Sequence, residues 1–488
     1  QVHRFWAQGT ASAASLPQCA AVARAMTEQF VKAFGEQTAD IPERGSNIHY
    51  TESADRLRRL LREGPYKLTD LRDAPERFFL SHQRLSEFAT RVGPGFGIRY
   101  TVQVNLFAGS IIGLGNKDQV SYLSEVQKKG ILGCFCLTER LAGVNSGLVV
   151  NTTAEWDEGR QMFLLDCPDE GSEKNWISQG LTADMAVTVA TLIVKGKSYG
   201  PHAFIMELRR DGKLVPGVTA EDMGSKTIGN DLDNARIAFS KVWLPKGALL
   251  DRYAGIQNGE YVQYQPGTSN MDMIGQRLYT GRAVIASSTL VFARTLFKSA
   301  REYADNKRCW APKGSIMLSE IPQLSILYQE ADRELSRVEA LRDAVESRLC
   351  ECLKSEKIPD AKLVDMVACL KVKAIEVTID LCFRLKQELG SYALMGGTGF
   401  EKMDYLQCCK FAEGDSRILM QKIARDRLQA FSKKQEGTER ESKMCFSLGK
   451  AMMAGGKTAW NDNWKEVYSL AEAVIGRVVD EASPQARL

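Results

Sequence analysis

Two apolar stripes constrain the fold more than any other feature of this sequence. From Leu327, apolar residues recur at Ala331, Leu335, Val338, Leu341, Val345, Leu349 and Leu353; from Leu363 they recur at Val367, Leu370, Ala374, Val377, Leu381 and Leu385. Spacings of three and four, held over about seven turns, commit both segments to long helices with one buried face each. Neither face can be buried alone, so the region from 266 to 432 is predicted to be a four-helix bundle.

Periodicity changes twice before that bundle. Residues 1–130 are mostly helical in pattern, as in "AAVARAMTEQFVKAFGEQ" and "ADRLRRLLREG". Residues 131–265 read as a β domain: "MAVTVATLIVKG", "HAFIMELRR" and "ARIAFSKVWL" are strand-like, and turn signals such as "RDGK" and "WDEG" separate the runs. That spacing suggests roughly six to eight strands. After 432 the charged stretch "SKKQEGTERESK" reads as an exposed linker, followed by a last helical segment, so 433–488 is a linker and terminal helical extension. The predicted class is α+β: an N-terminal helical domain, a β-barrel or sandwich-like middle and a C-terminal helical bundle.

Composition removes several functions. The formal charge is +4 and the basic residues are dispersed, with no Lys/Arg arm and no aromatic-basic repeat, which argues against nucleic acid as a partner. No apolar run approaches the roughly 18 residues of a transmembrane helix. Twelve cysteines are scattered without a CxxC pair, and there are four histidines, so no metal site is expected. Free, mostly buried thiols are the expectation. "AGGKT" resembles a phosphate-binding loop, but that loop needs a glycine where Ala451 stands. No G-x-G-x-x-G follows a strand, and there is no G-x-S-x-G.

One acid stands out. In "FAEGDSRILMQKIAR", Glu413 lies between Ala412 and Gly414, directly before an apolar helical run. Read by itself it is a helix-start acid, with Asp415 or Ser416 as the cap.

The order of motifs gives this acid another reading. "FCLTERLAG" (135–143), "EKNWISQG" (173–180), "YGPHAFIMELR" (199–209), "PGVTAEDMGSKTIGNDLDNARIAF" (216–239), "VWLPKGALLDRYA" (242–254), "GRAVIA" (281–286), "NKRCW" (306–310), "MGGTGF" (395–400) and "FAEGD" (411–415) follow one another as in the acyl-CoA dehydrogenase and acyl-CoA oxidase superfamily. The chain resembles that superfamily over roughly residues 90 to 430, and the β-domain motifs look most like the oxidase branch.

The resemblance implies FAD as cofactor, an acyl-CoA substrate, and desaturation between the α and β carbons. Glu413 matches the general base that takes the α-proton while the β-hydrogen leaves as hydride to the flavin; its backbone N–H also meets the thioester carbonyl. A carboxylate enclosed by flavin and acyl chain would have a raised pKa, suited to that task. Thr138, Gly143, Trp176 and Ser178 match residues around the flavin ring. Gly396, Gly397 and Gly399 match the loop that receives the adenine-diphosphate part, and Arg308 matches an arginine reaching the pyrophosphate of a partner subunit. Each also has a plain structural reading: a strand-end hydroxyl, core packing for Trp176, a helix stop for the glycines, a solvated charge for Arg308.

The family usually has a serine where Val144 stands, leaving Asn145 or Ser146 to replace the lost hydroxyl toward ligand. After Arg308 the family's Gln-Phe-Gly is replaced by "CWA". Full-length oxidases also carry a long second helical domain, for which this chain offers about 60 residues. These departures motivate a rival reading, a structural or assembly subunit without turnover. Molecular oxygen or an electron-transfer flavoprotein is the expected acceptor, and a homodimer or homotetramer the expected assembly. The ending Ala-Arg-Leu resembles a peroxisomal address; the opening segment, which lacks a secretory apolar core, leaves the mitochondrial matrix or a plastid as alternatives.

Overall fold

A computed structural model describes residues 16–41, 48–143, 149–266, 270–312, 314–434 and 437–483. The N-terminal part is helical, with α1 (Leu16–Gln37), α2 (Tyr50–Glu63), α3 (Pro75–Ser86), α4 (Gly95–Thr101), α5 (Ala108–Leu114) and α6 (Lys117–Lys129). A π-helical stretch, Val102–Phe107, joins α4 to α5. Helix α6 has both ends signalled in the sequence: Asn116 and Gln119 form a reciprocal capping box, and Gly130 closes it in the left-handed region at φ 65°.

The middle of the chain holds two sheets. The larger contains β1 (Gly133–Cys136), β2 (Thr153–Asp157), β3 (Met162–Asp166), β5 (Met185–Val194), β6 (Lys197–Glu207) and β11 (Val242–Pro245); the smaller has β4 (Lys174–Ser178) next to β10 (Asn234–Phe239), which pairs with β9 (Val218–Asp222). Strand β5 is the spine. On one edge it pairs in parallel with β1 over Met185–Thr188 and with β2 over Thr191–Val194; on the other it pairs antiparallel with β6. Phe163, Leu165, Phe204, Ile177, Ile237 and Phe239 are buried in the core of this domain. Two-stranded ribbons β7–β8 (Arg209–Arg210 with Lys213–Leu214) and β12–β13 (Ala254–Gln257 with Glu260–Gln263) add to it. The described sheets thus hold more strands than the turn spacing suggested. The extra ones are short, such as the four-residue β1, and fully buried runs of that length carry no alternation to read.

Both apolar stripes form long helices. Helices α7 (Asn270–Ala304), α8 (Pro322–Lys354), α9 (Ala361–Leu389) and α11 (Ser416–Ser432) pack as a bundle, with the short α10 (Asp404–Phe411) leading into α11. A hairpin, β14–β15 (Arg308–Ala311 with Gly314–Met317), projects between α7 and α8. Two more helices, α12 (Glu439–Gly455) and α13 (Trp464–Ala482), lie against this bundle. Within the charged stretch expected to be an exposed linker, Glu441 is instead 0% exposed. It accepts from Arg427 Nε at 2.6 Å and from Arg477 Nε at 2.7 Å, tying α11, α12 and α13 together. Charge density misled there because a buried charge with two cationic partners looks, in sequence, like a solvated one.

Among the described residues no helix is long and apolar enough to cross a membrane, and no group of three or more His, Cys, Asp or Glu could hold a metal ion. The eleven cysteines with described side chains are free.

Candidate active site

The α10–α11 connection carries Glu413. Helix α10 stops at Phe411, and Asp415 caps α11 by accepting from Arg417 N at 2.7 Å. Asp415 is therefore the cap, and Glu413 is free of that duty. The turn needs two left-handed residues, Glu413 at φ 57° and Gly414 at φ 96°. A glutamate in that region is uncommon and marks a conformation held by its surroundings.

Those surroundings come from two other helices. On α7, Arg282 Nε donates to the Glu413 carbonyl at 2.9 Å. Beside it, a Cβ added to Gly281 would lie 2.4 Å from Glu413 Cδ; glycine is the residue that leaves space for the carboxyl group there. On α9, Lys371 Nζ donates to the carbonyls of Lys410 (2.9 Å) and Gly414 (2.7 Å) and to Ser416 Oγ (3.3 Å).

The Glu413 residue is half-buried, but its Oε2 is shut off from solvent and has no hydrogen-bond partner. Burial pushes its pKa up to about 7, although the Arg282 and Lys371 cations pull the other way. A carboxyl group that changes charge near neutrality, with one unsatisfied oxygen, can take or give a proton there.

The sheets supply a second group of residues. Thr138 is exposed, and its carbonyl accepts from Asn175 N at 2.9 Å, which sets it beside β4. Just behind, Glu139 and Lys174 form a fully buried ion pair at 2.9 Å, and Glu139 also accepts from Asn151 N, Thr152 N and Thr152 Oγ1. This pair joins the "LTE" and "KNWIS" segments. It explains the acid and the lysine in them, neither of which was expected to have a role. Trp176 lies two residues after Lys174. The residue is 57% exposed, so it is not core packing, and its φ is 58°. Ser178 Oγ accepts from Asn234 Nδ2 at 3.0 Å.

A buried arginine fixes this edge against the N-terminal helices. Arg99 of α4 pairs with Asp233 at 2.9 Å and donates to Gln179 Oε1, Thr182 Oγ1, Ser53 Oγ and the carbonyls of Tyr50 and Asp231. The loop after β9 touches this edge, where Trp176 N donates to Met223 Sδ, and the Lys226 cation in that loop opposes the upward push of burial on the Cys408 thiol of α10.

At another end of the bundle, Gly396, Gly397 and Gly399 form the loop after α9. No atom lies within 4 Å of a Cβ added to Gly396 or Gly397, whereas Gly399 packs on Thr90 and Leu296. The N–H groups of Gly397 and Gly399 both donate to the Glu401 carboxylate, at 3.0 and 2.9 Å. Tyr392, just before the loop, stacks on Tyr303 with centroids 3.5 Å apart, which brings the loop toward the base of the β14–β15 hairpin and its exposed Arg308. Gly143 is exposed at the end of a described segment. Val144, Asn145 and Ser146 lie outside the described residues, as does the Ala-Arg-Leu ending.

Gly281 and Arg282 entered the sequence analysis only as the start of the "GRAVIA" motif, with no role given, and Lys371 did not enter it at all. Two signals were present. Gly281 is a glycine inside a helix, which costs about 1 kcal/mol against alanine and asks for a reason. Lys371 stands four residues after Val367 and three before Ala374, on the buried stripe itself.

No family model matches the chain. Among curated proteins it is similar to an acyl-coenzyme A oxidase-like protein of Mus musculus (28% identity, 72% of this chain, 56% of the relative). An acyl-coenzyme A oxidase of Saccharomyces cerevisiae is 27% identical over 78% of this chain and 54% of its own. Acyl-coenzyme A oxidase 2, peroxisomal, of Arabidopsis thaliana is 27% identical over 75% and 54%. The chain spans about half the length of these curated relatives. Its fold matches acyl-CoA oxidase-1 of Caenorhabditis elegans, crystallised with FAD and ATP, at a TM-score of 0.75 and 19% identity over 94% of this chain and 76% of that one. Butyryl-CoA dehydrogenase of Megasphaera elsdenii matches at 0.62 and 19% identity, over 80% and 95%. The chain thus has acyl-CoA oxidases as its sequence homologues and the fold of the acyl-CoA oxidase/dehydrogenase superfamily.

Proposed function

We propose that this protein is an FAD-dependent enzyme that desaturates an acyl-CoA thioester between its α and β carbons, with Glu413 as general base. The observation that carries this reading is the Glu413 carboxyl group: shut off from water at Oε2, unpaired there, poised at about pH 7 and faced by a helix glycine.

The residues present fit the cofactor. Trp176 offers an exposed indole on a strained backbone beside an exposed Thr138 and the Ser178 hydroxyl, an apolar face with polar groups at its edge. Bound FAD supplies the acceptor for the β-hydride. Glu413 Oε2 takes the α-proton, and its preference for the neutral form favours that transfer. Arg282 and Lys371 hold the turn from the backbone side, so the carboxyl group keeps its aim while it changes charge. The Glu413 N–H is proposed to meet the thioester oxygen, where negative charge grows.

The relatives' names favour molecular oxygen as acceptor over an electron-transfer flavoprotein, and the name of the Arabidopsis relative favours a peroxisome. A homodimer or tetramer is proposed, with Arg308 and the glycine loop completing a neighbour's cofactor site. The test is anaerobic mixing of the FAD-loaded protein with saturated acyl-CoAs of graded length. The flavin absorbance should bleach with at least one of them and return promptly in air. Bound FAD that never bleaches would overturn the reading; flavin that stays reduced in air would replace oxygen by the flavoprotein.

One observation favours a second reading, a subunit without turnover. The Glu401 carboxylate occupies two N–H donors of the loop assigned to a diphosphate, and like charges compete for them. Purified protein that releases no FAD on denaturation would support it.

A further inference from the structure

A lysine is an expensive residue to bury, and Lys371 is buried completely, at 0% exposure. All three of its ammonium hydrogens are accounted for by three acceptors, and those acceptors are specific. The Lys410 carbonyl belongs to the last turn of α10, where carbonyls lack helical partners. The Gly414 carbonyl directly follows the base, and Ser416 is the first residue of α11. The ammonium group therefore spans the Glu413 turn from the end of one helix to the start of the next.

We propose that Lys371 is a positioning residue for Glu413: it clamps the left-handed turn that aims the carboxyl group, and supplies a nearby positive charge that keeps the base ionisable. This rests on the desaturation reading above. The clamp explains how two consecutive left-handed residues persist without a sheet or a second helix cap to hold them. The ionisable groups that bear on Lys371 are Cys408 and Cys409 of α10, Glu413 and Asp415 of the turn, and Arg282 of α7. Burial lowers the Lys371 pKa to about 8, so its proton is held with little to spare. Once it is lost, two hydrogens must serve three acceptors.

The test is the rate of anaerobic flavin bleaching by a saturated acyl-CoA, as a function of pH, in Lys371→Met. The rate should fall roughly 10–100-fold, the usual order for a misplaced catalytic group, while FAD content and acyl-CoA affinity stay near wild type. Loss of a neighbouring cation raises a carboxyl pKa, so the acid limb should move to higher pH. Lys371→Arg, which keeps the charge but not the compact three-way fit, should restore the limb more than the rate. A Lys371→Met protein with the wild-type rate and an unmoved limb would overturn the proposal. Should that variant not fold, Lys371→Gln takes its place under the same criteria. The wild-type profile adds a test that needs no variant: the rate should decline above about pH 8, and a flat alkaline profile would contradict the clamp. Glu413→Gln run in parallel separates the two ideas. If it bleaches normally, the desaturation reading fails; if it is inactive while Lys371→Met is normal, only the clamp fails.

Discussion

Two carboxyl groups in this protein have nearly the same electrostatics and quite different settings. Glu413 and Glu346 are both half-buried and both pushed to about 7 by burial; each has one oxygen shut off from solvent, which at Glu346 faces the Ser287 hydroxyl and at Glu413 has no hydrogen-bond partner. Glu346 sits in the middle of α8, beside Ser287 of α7, and its other oxygen accepts from Gln83 of α3 at 3.3 Å. Its backbone is ordinary helix, and among the described residues no added glycine Cβ meets its carboxyl group. Glu413 sits on a left-handed turn, opposite Gly281, with two cations gripping the backbone on either side of it. A raised pKa is thus shared by a carboxyl group buried in helix packing and by one presented to a ligand. Backbone strain, cleared space and external positioning separate the two.

The largest effect should come from removing the acid. Glu413→Gln keeps the shape but cannot accept a proton, and turnover should fall by roughly 10²–10⁴ with FAD still bound. A smaller change tests the cleared space. Gly281→Ala puts a methyl group where the carboxyl lies, and displacement of a reacting group by about 1 Å can cost about 10²-fold in rate; steady-state kinetics on the folded variant should show the loss in kcat rather than in acyl-CoA affinity.

The smallest effect belongs to Glu346→Gln, which should leave turnover unchanged and alter stability instead. The unfolded chain loses this proton near pH 4.5, whereas the folded protein holds it to about pH 7. Its contribution is therefore full below about pH 4.5 and is lost as pH rises toward 7 and beyond. Denaturant titrations should show the variant gaining on wild type between pH 5 and pH 8, by roughly 1–3 kcal/mol. A variant that loses ground over that range would mean that Glu346 has an anionic role.

Much of the scaffold was legible in the sequence because long helices repeat their signal. Leu327 to Leu353 states the same face eight times, and noise at one position does not matter. The β domain was harder. Strands such as "GCFC" and "KNWIS" are too short to show a period, and their placement depends on distant partners such as Met185 for Gly133. Around the site, Glu413 stood out through its small neighbours and its place in an ordered series of motifs. Lys371 did not, because a fully buried lysine and a half-buried one such as Lys373 are the same letter two residues apart. Only the acceptors, which lie 39 to 45 residues away, distinguish them.

The central claim is that Glu413, and not its electrostatic twin, moves the proton. It is tested most directly by anaerobic flavin bleaching with a saturated acyl-CoA across pH, comparing wild type, Glu413→Gln and Glu346→Gln. The account predicts that Glu346→Gln keeps the wild-type rate and an acid limb near pH 7, while Glu413→Gln binds FAD and stays slow at every pH. A Glu413→Gln protein that bleaches at the wild-type rate, or an acid limb that vanishes only in Glu346→Gln, would contradict it.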